Sequence, residues 1–247
     1  MCILKYLLFC CVICISCSHA SLHQKQLMHA LDFSAANSKE LEKVLKHYEH
    51  DSLKLEAAKF LIRNMPHCYS YQQGGEMDSV KRVRTYYSPF GQIDQTYARR
   101  WGHYTYRNLL KIYDAHIITA EYLIDNIDRA FDNWQKRPWN RSLSFEDFCE
   151  YLLPYRIGDE PLEEWRELYE KKYGYLLDSI YKGSDVVEAA NLVSRHLQEP
   201  VFIYCEDFEL PHIGPRYLFS HRYGSCVDAA DIVESDRLRK EKQTEED

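Results

Sequence analysis

The chain has 247 residues and a mass of 29.4 kDa, room for one large domain or two modest ones. Its 31 Lys and Arg against 38 Asp and Glu leave a formal net charge of −7, which argues against a dedicated nucleic-acid binder with its basic face. A hydrophobic share of 45% excludes global disorder, and 20 Tyr with only 9 Gly and 8 Pro point to a helix-rich body with rings at half-buried positions.

The nine cysteines are unevenly placed. Cys2, Cys10, Cys11, Cys14 and Cys17 crowd the start, and Cys68, Cys149, Cys205 and Cys226 are too sparse for a disulfide framework. Lys5 precedes an apolar run from Tyr6 to Ile15, the length of an export signal and far short of the ~20 residues that span a bilayer. Cys14-Ile15-Ser16-Cys17 resembles a bacterial lipobox, in which a small residue precedes the cysteine that is acylated. Only a thiol can carry the thioether-linked diacylglycerol; simple cleavage after a small residue is the alternative. The expected layout is a lipoprotein-type signal peptide at 1–16 and a tether at 17–37 anchored through Cys17. Such a protein is exported and membrane-bound, periplasmic or on the cell surface.

A helical region is expected from 38 to 183. Leu41, Val44, Leu45 and Tyr48 recur at helical spacing behind Asn37-Ser38, which offers N-cap chemistry. A second helix carries Leu53, Ala57, Phe60, Leu61 and Met65 until Pro66, and residues 49–52 make the turn between the two. Residues 66–100 lack a clean period, with turns at Gly74-Gly75, Pro89 and Gly91. From His103 to about Lys136 an apolar face returns, through Leu109, Leu110, Tyr113, Ile117, Ala120, Leu123, Ile127 and Phe131. Ser144 with Asp147 forms a variant capping box ahead of Phe148, Tyr151 and Leu152. Asp159-Glu160-Pro161 starts a helix through Trp165, Leu168, Tyr169 and Leu176. Ser184 caps another with Val187, Ala190, Leu192, Val193 and Leu197. Val201 to Cys205 is the best strand in the chain, and residues 236–247 are a charged tail that cannot build a core.

Cys226 stands out chemically. Gly224 permits a close backbone approach, Ser225 is a good N-cap, and Val227, Ala230 and Val233 give a helical apolar face. A thiol in the first turn of such a helix meets unpaired N–H groups and the positive dipole end, which favour the nucleophilic thiolate. A buried structural cysteine is the bland alternative. Gly224-Ser225-Cys226-Val227-Asp228-Ala229 resembles the nucleophile segment of the transglutaminase-like superfamily, a fold related to papain. Asn64-Met65-Pro66 with Tyr69-Ser70-Tyr71, Pro138-Trp139, Phe145 to Pro154 and Pro161 to Trp165 are similar to bacterial surface lipoproteins that carry such a domain behind a long helical region. The resemblance implies an α+β fold, predominantly helical as given, with residues 184–235 as the N-terminal part of the domain and most of its sheet lacking. It also implies acyl transfer or amide and peptide hydrolysis through Cys226, on a peptide, protein or amide substrate.

The family completes its site with a His and an Asp or Asn on strands downstream. After Cys226 this sequence has no His, and Asp228 and Asp231 lie on the cysteine's own helix. His212 and His221 precede the cysteine and do not match the family's position. The expectation is a chain cut short after the nucleophile helix, whose catalysis is lost or incomplete without the imidazole. A non-catalytic surface lipoprotein that binds a partner or glycan through its helices is the alternative.

The remaining candidates read as structural. His67-Cys68 supplies two adjacent ligand types without a second pair, and no metal or cofactor is expected. Cys149 and Cys205 read as structural thiols. Asp159, Glu160, Glu163 and Glu164 fit a helix's first turn, where the dipole welcomes carboxylates. Lys81-Arg82 with Arg84, and Arg99-Arg100 with Trp101, make modest basic patches that suit surface ion pairs.

Overall fold

The computed structural model describes residues 22–72, 109–137, 143–156, 158–198, 212 and 214–221. Within them the chain is predominantly helical and carries one two-stranded ribbon. Residues 22–33, inside the stretch expected to be a tether, form helix α1, and its Leu27 and Ala30 lie in the core. Their helical spacing outweighs the polar flank that precedes them.

Helix α2 (Ser38–His47) buries Leu41 and Val44, and α3 (Ser52–Asn64) buries Ala57, Ala58, Leu61 and Ile62. Asp51 starts α3 by accepting the Lys54 N–H at 3.1 Å. Pro66 sits in a 3-10 turn, Met65–His67, that ends the pair of helices. Asn37 does not cap α2. Its side-chain amide donates instead to the carbonyls of Ala115 at 3.0 Å and Ile118 at 2.9 Å, groups that a helix cap would leave unsatisfied.

Strands β1 (Tyr69–Tyr71) and β2 (Lys111–Tyr113) pair antiparallel, with Ser70 opposite Ile112. This corrects the apolar face expected to run unbroken from 109. Leu110 and Ile117 are exposed, and helix α4 begins only at Ala120, running to Lys136. The start is fixed by two acceptors: Thr119 takes the Tyr122 N–H at 3.2 Å, and Glu40 of α2 takes the Ala120 N–H at 2.9 Å. The buried face of α4, with Leu123, Ile127, Ala130 and Phe131, packs on α2 and α3.

Ser144 accepts the Asp147 N–H at 3.0 Å and starts α5 (Phe145–Asp147), as its spacing predicts, and a π-helical turn (Phe148–Leu152) continues it. Phe148 seals the core: its ring lies 4.7 Å from Phe131 and stacks at 4.4 Å on Trp134. Helix α6 spans Arg166–Tyr175 and continues as a π turn, Leu176–Ile180. The helix start expected at Asp159-Glu160-Pro161 is overturned, since residues 161–165 are irregular. Glu160 is buried there, and the Trp165 indole N–H donates to the Tyr155 carbonyl at 3.0 Å, tying the segment down in a non-helical path.

Helix α7 (Val186–Gln198) is capped by Asp185, not Ser184: one carboxylate oxygen takes the Val187 and Glu188 N–H groups at 2.7 and 3.2 Å. The short helix α8 (Pro215–His221) closes the described chain. The expected strand Val201–Cys205, the two basic patches and the charged tail lie outside the described residues.

Candidate functional site

Cys17 and Cys226, the two residues on which the sequence places chemistry, both lie outside the described residues. The other cysteines that are described are poor nucleophiles. Cys149 is buried, and desolvation pushes its thiol up to about 12 against the pull of Arg63. Cys68 is also raised, first by burial and then by the Asp114 carboxylate. His67 beside it is exposed, and among the described residues no group of three or more His, Cys, Asp and Glu is placed to hold a metal ion.

Cys68 belongs to a buried polar cluster that the sequence did not announce. Asp114, in the 3-10 turn after β2, is fully buried. Arg156 meets it side-on, Nη2 donating to Oδ1 at 2.8 Å and Nε lying 2.7 Å from Oδ2. Nη1 of the same guanidinium donates to the Tyr69 carbonyl of β1 at 2.6 Å. One arginine thereby joins the ribbon, the turn behind it and the irregular segment that leads to α6. The buried Tyr155 hydroxyl faces the Cys68 thiol and the Asp114 carboxyl without a well-aligned bond to either. Burial pushes the Asp114 carboxyl up to about 6, opposed by Arg156. An ion pair so enclosed fixes geometry more than it adds net stability.

Arg166 plays the matching part at the head of α6. The π turn Phe148–Leu152 ends with unpaired carbonyls, as helix ends do. Arg166 Nη2 donates to the carbonyls of Leu152 at 2.8 Å and Pro154 at 2.6 Å, while Nε donates to Asn126 Oδ1 at 2.5 Å. Asn126 in turn donates to the Leu153 carbonyl at 2.9 Å. Burial lowers the guanidinium to about 10, still charged at neutral pH. Neither arginine stands in a periodic pattern, and each partner is distant in sequence or is backbone, so no motif marked them.

The acidic residues expected in a helix's first turn are used differently. Asp159 Oδ1 accepts the His212 backbone N–H at 3.0 Å and lies 3.0 Å from the imidazole Nδ1. Burial alone would raise this carboxyl; the bonds from His212 outweigh it and hold Asp159 below its ordinary value. Glu163 accepts the Arg216 N–H at 2.9 Å, and the Glu164 carbonyl takes the Arg216 guanidinium at 3.1 Å. Helix α8 then lies on α6: Leu218 is buried, Tyr169 donates to the Pro215 carbonyl at 2.9 Å, and its ring meets Phe219 edge-on at 5.3 Å. This docked helix ends at His221, just ahead of Gly224 in the sequence.

On the other side of the 163–167 segment lies an open groove of about 680 Å³, with Lys43, Tyr122, Asp125, Arg129, Glu164 and Trp165 among the residues that line it. Arg129 is committed to Asp125, which it meets at 2.8 and 2.9 Å. No family model matches the chain, and no curated protein or solved structure is detectably similar to it.

Proposed function

We propose that the protein is an exported cysteine protein of transglutaminase-like type, with Cys226 as nucleophile for acyl transfer or amide hydrolysis and Cys17 as the site of its membrane anchor. The observation that carries the reading is the sequence Gly224-Ser225-Cys226-Val227-Asp228-Ala229, whose N-cap chemistry predicts a thiol at a helix start, three residues and more beyond a helix docked on the body. A thiolate is favoured at such a position by the dipole and the unpaired N–H groups. Helix α7 supports the reading from the preceding side, because the family's cysteine helix follows a helix of this kind. Cys68 and Cys149 do not compete, as burial keeps both thiols protonated at neutral pH. The reactivity of the Cys226 thiol is the property to be measured.

The test is limited alkylation of the folded chain with iodoacetamide at pH 7, followed by peptide mapping. Cys226 is expected to label at least tenfold faster than Cys68 and Cys149, and Cys226→Ala removes that fast phase. Labelling of Cys226 no faster than that of Cys68 and Cys149 sinks the reading.

A second reading, a non-catalytic surface protein that binds a partner or glycan, is favoured by one observation, the groove beside Trp165 and Tyr122. Its volume of about 680 Å³ is in the range of small-ligand sites. Saturable binding of oligosaccharides, abolished by Trp165→Ala and indifferent to Cys226→Ala, would support this reading over the first.

A further inference from the structure

Two contacts of matching spacing join residues 159–163 to His212 and to Arg216. Asp159 meets His212, and four positions on, Glu163 meets Arg216, each pair 53 residues apart in sequence. Both bonds end on backbone N–H groups, so they hold the path of the second segment whatever its side chains do. At the first contact the same Asp159 oxygen also faces the imidazole, which adds charge to the bond whenever His212 is protonated.

Each contact is matched by a glycine. Gly158 lies against the His212 ring, and a Cβ there would collide with Nδ1 and Cε1. Gly214 lies against the Glu163 carboxylate, where a Cβ would overlap both oxygens. One glycine belongs to the body segment and the other to the docked segment, so the two strands of chain are fitted to each other reciprocally. An isolated surface ion pair would not need either glycine.

We propose that Asp159 and Glu163 form a two-point latch that holds His212 and residues 214–221 on the helical body and thereby positions the chain that leads into Gly224-Ser225-Cys226. Asp159 and Glu163 are positioning residues, since neither is argued to touch a substrate. The latch stands on the described contacts alone, whereas its consequence for reactivity rests on the Cys226 reading.

Hydrogen exchange on the full chain separates the two. In Asp159→Ala/Glu163→Ala, the amides that follow Pro215 in α8, from Arg216 to His221, are expected to exchange at least tenfold faster, with Ala120–Lys136 unchanged. Glu163→Gln keeps an acceptor for the Arg216 N–H and should restore most of the protection lost in Glu163→Ala. Gly214→Ala should mimic Glu163→Ala, and combining the two should add nothing further, because the methyl group acts by displacing that carboxylate. Unchanged exchange in 216–221, or equal acceleration throughout the molecule, overturns the latch. The pH profile of Cys226 alkylation reports the consequence: a midpoint moved toward that of a free thiol in the double variant supports positioning. An activated wild-type thiol that the double variant leaves unmoved overturns positioning. An ordinary thiol in the wild type refutes the cysteine reading, and the exchange data then decide the latch by themselves.

Discussion

Between Ser38 and Lys136 helices α2, α3 and α4 meet across an apolar core of Leu41, Val44, Ile62, Leu123, Ile127 and Phe131, and the charged contacts between them, Glu40 on the Ala120 N–H and Lys54 on Asp128, lie at its edge. From Arg156 to His221 apolar contacts such as Leu218 and the Tyr169–Phe219 ring pair are joined by many hydrogen bonds from side chain to backbone, made by Arg156, Arg166, Asp159, Glu163 and Tyr169. The first region follows from burying area, which is non-directional and tolerant of small shifts. The second depends on individual donors and acceptors, each of which fails if its partner moves by an ångström. The difference separates a scaffold that can fold by pattern from a segment whose path is specified bond by bond.

The widest contrast comes from deleting a core ring. Phe131 is 2% exposed and touches both Trp134 and Phe148. Phe131→Ala is expected to cost about 3–5 kcal/mol, the usual range for a buried aromatic lost from a packed core. Because the ring packs mainly on other rings and aliphatic side chains, with the Lys54 ammonium 5.6 Å from its centroid as a charged neighbour, urea denaturation should return nearly the same loss at pH 4.5 and pH 7.5. A loss that varied strongly with pH would show that the apolar region is not independent of the charged one.

Asp114 provides the complementary measurement. Its carboxyl is raised by burial to about 6 from an ordinary 3.8, so the folded chain holds this proton more tightly than the unfolded chain. The sign follows from linkage: the contribution of Asp114 to stability is greatest below about pH 4 and is lost as pH rises through about 6. A shift of this size corresponds to roughly 3 kcal/mol. Asn resembles the protonated carboxyl and cannot titrate. The stability of the wild type minus that of Asp114→Asn should therefore fall between pH 4 and pH 7.5 by up to roughly 3 kcal/mol. A difference that grew with pH instead would mean that Arg156 holds the carboxyl ionised throughout.

What could be read from sequence divides along the same line. Leu41, Val44, Ala57, Leu61, Leu123, Ile127 and Phe131 repeat at helical spacing and all reach the core, because periodicity reports which face is buried. Ser144 and Asp147 gave a helix start from local chemistry that needs no distant partner. Most of the failures occur where a distant partner decides. Asn37 is a good cap in isolation, yet Ala115 and Ile118 claim its amide. Asp159 and Glu163 look like the acidic first turn of a helix, yet they bond to residues 53 positions away. Leu110 and Ile117 match the helical period of α4 but lie before its start, which Thr119 and Glu40 determine. The candidate site inherits this limit, for its supporting bonds come from long-range pairs that leave no local pattern.

The smallest expected effect tests the second region at its least charged contact. The Tyr169 hydroxyl donates to the Pro215 carbonyl at 2.9 Å in a buried setting, and burial raises the hydroxyl well above its ordinary value, so it stays a donor at any physiological pH. Tyr169→Phe removes this one bond and keeps the ring contacts with Trp165 and Phe219. A net loss of about 1 kcal/mol is expected, the usual worth of a neutral hydrogen bond, and urea denaturation at pH 7.5 can resolve it. Hydrogen exchange should place that loss in α8 and spare α4, since only the docking of α8 uses the bond. If α4 loosened equally, the bond-by-bond segment and the apolar scaffold would be one cooperative unit, and the contrast between them would describe how each is built without separating how each unfolds.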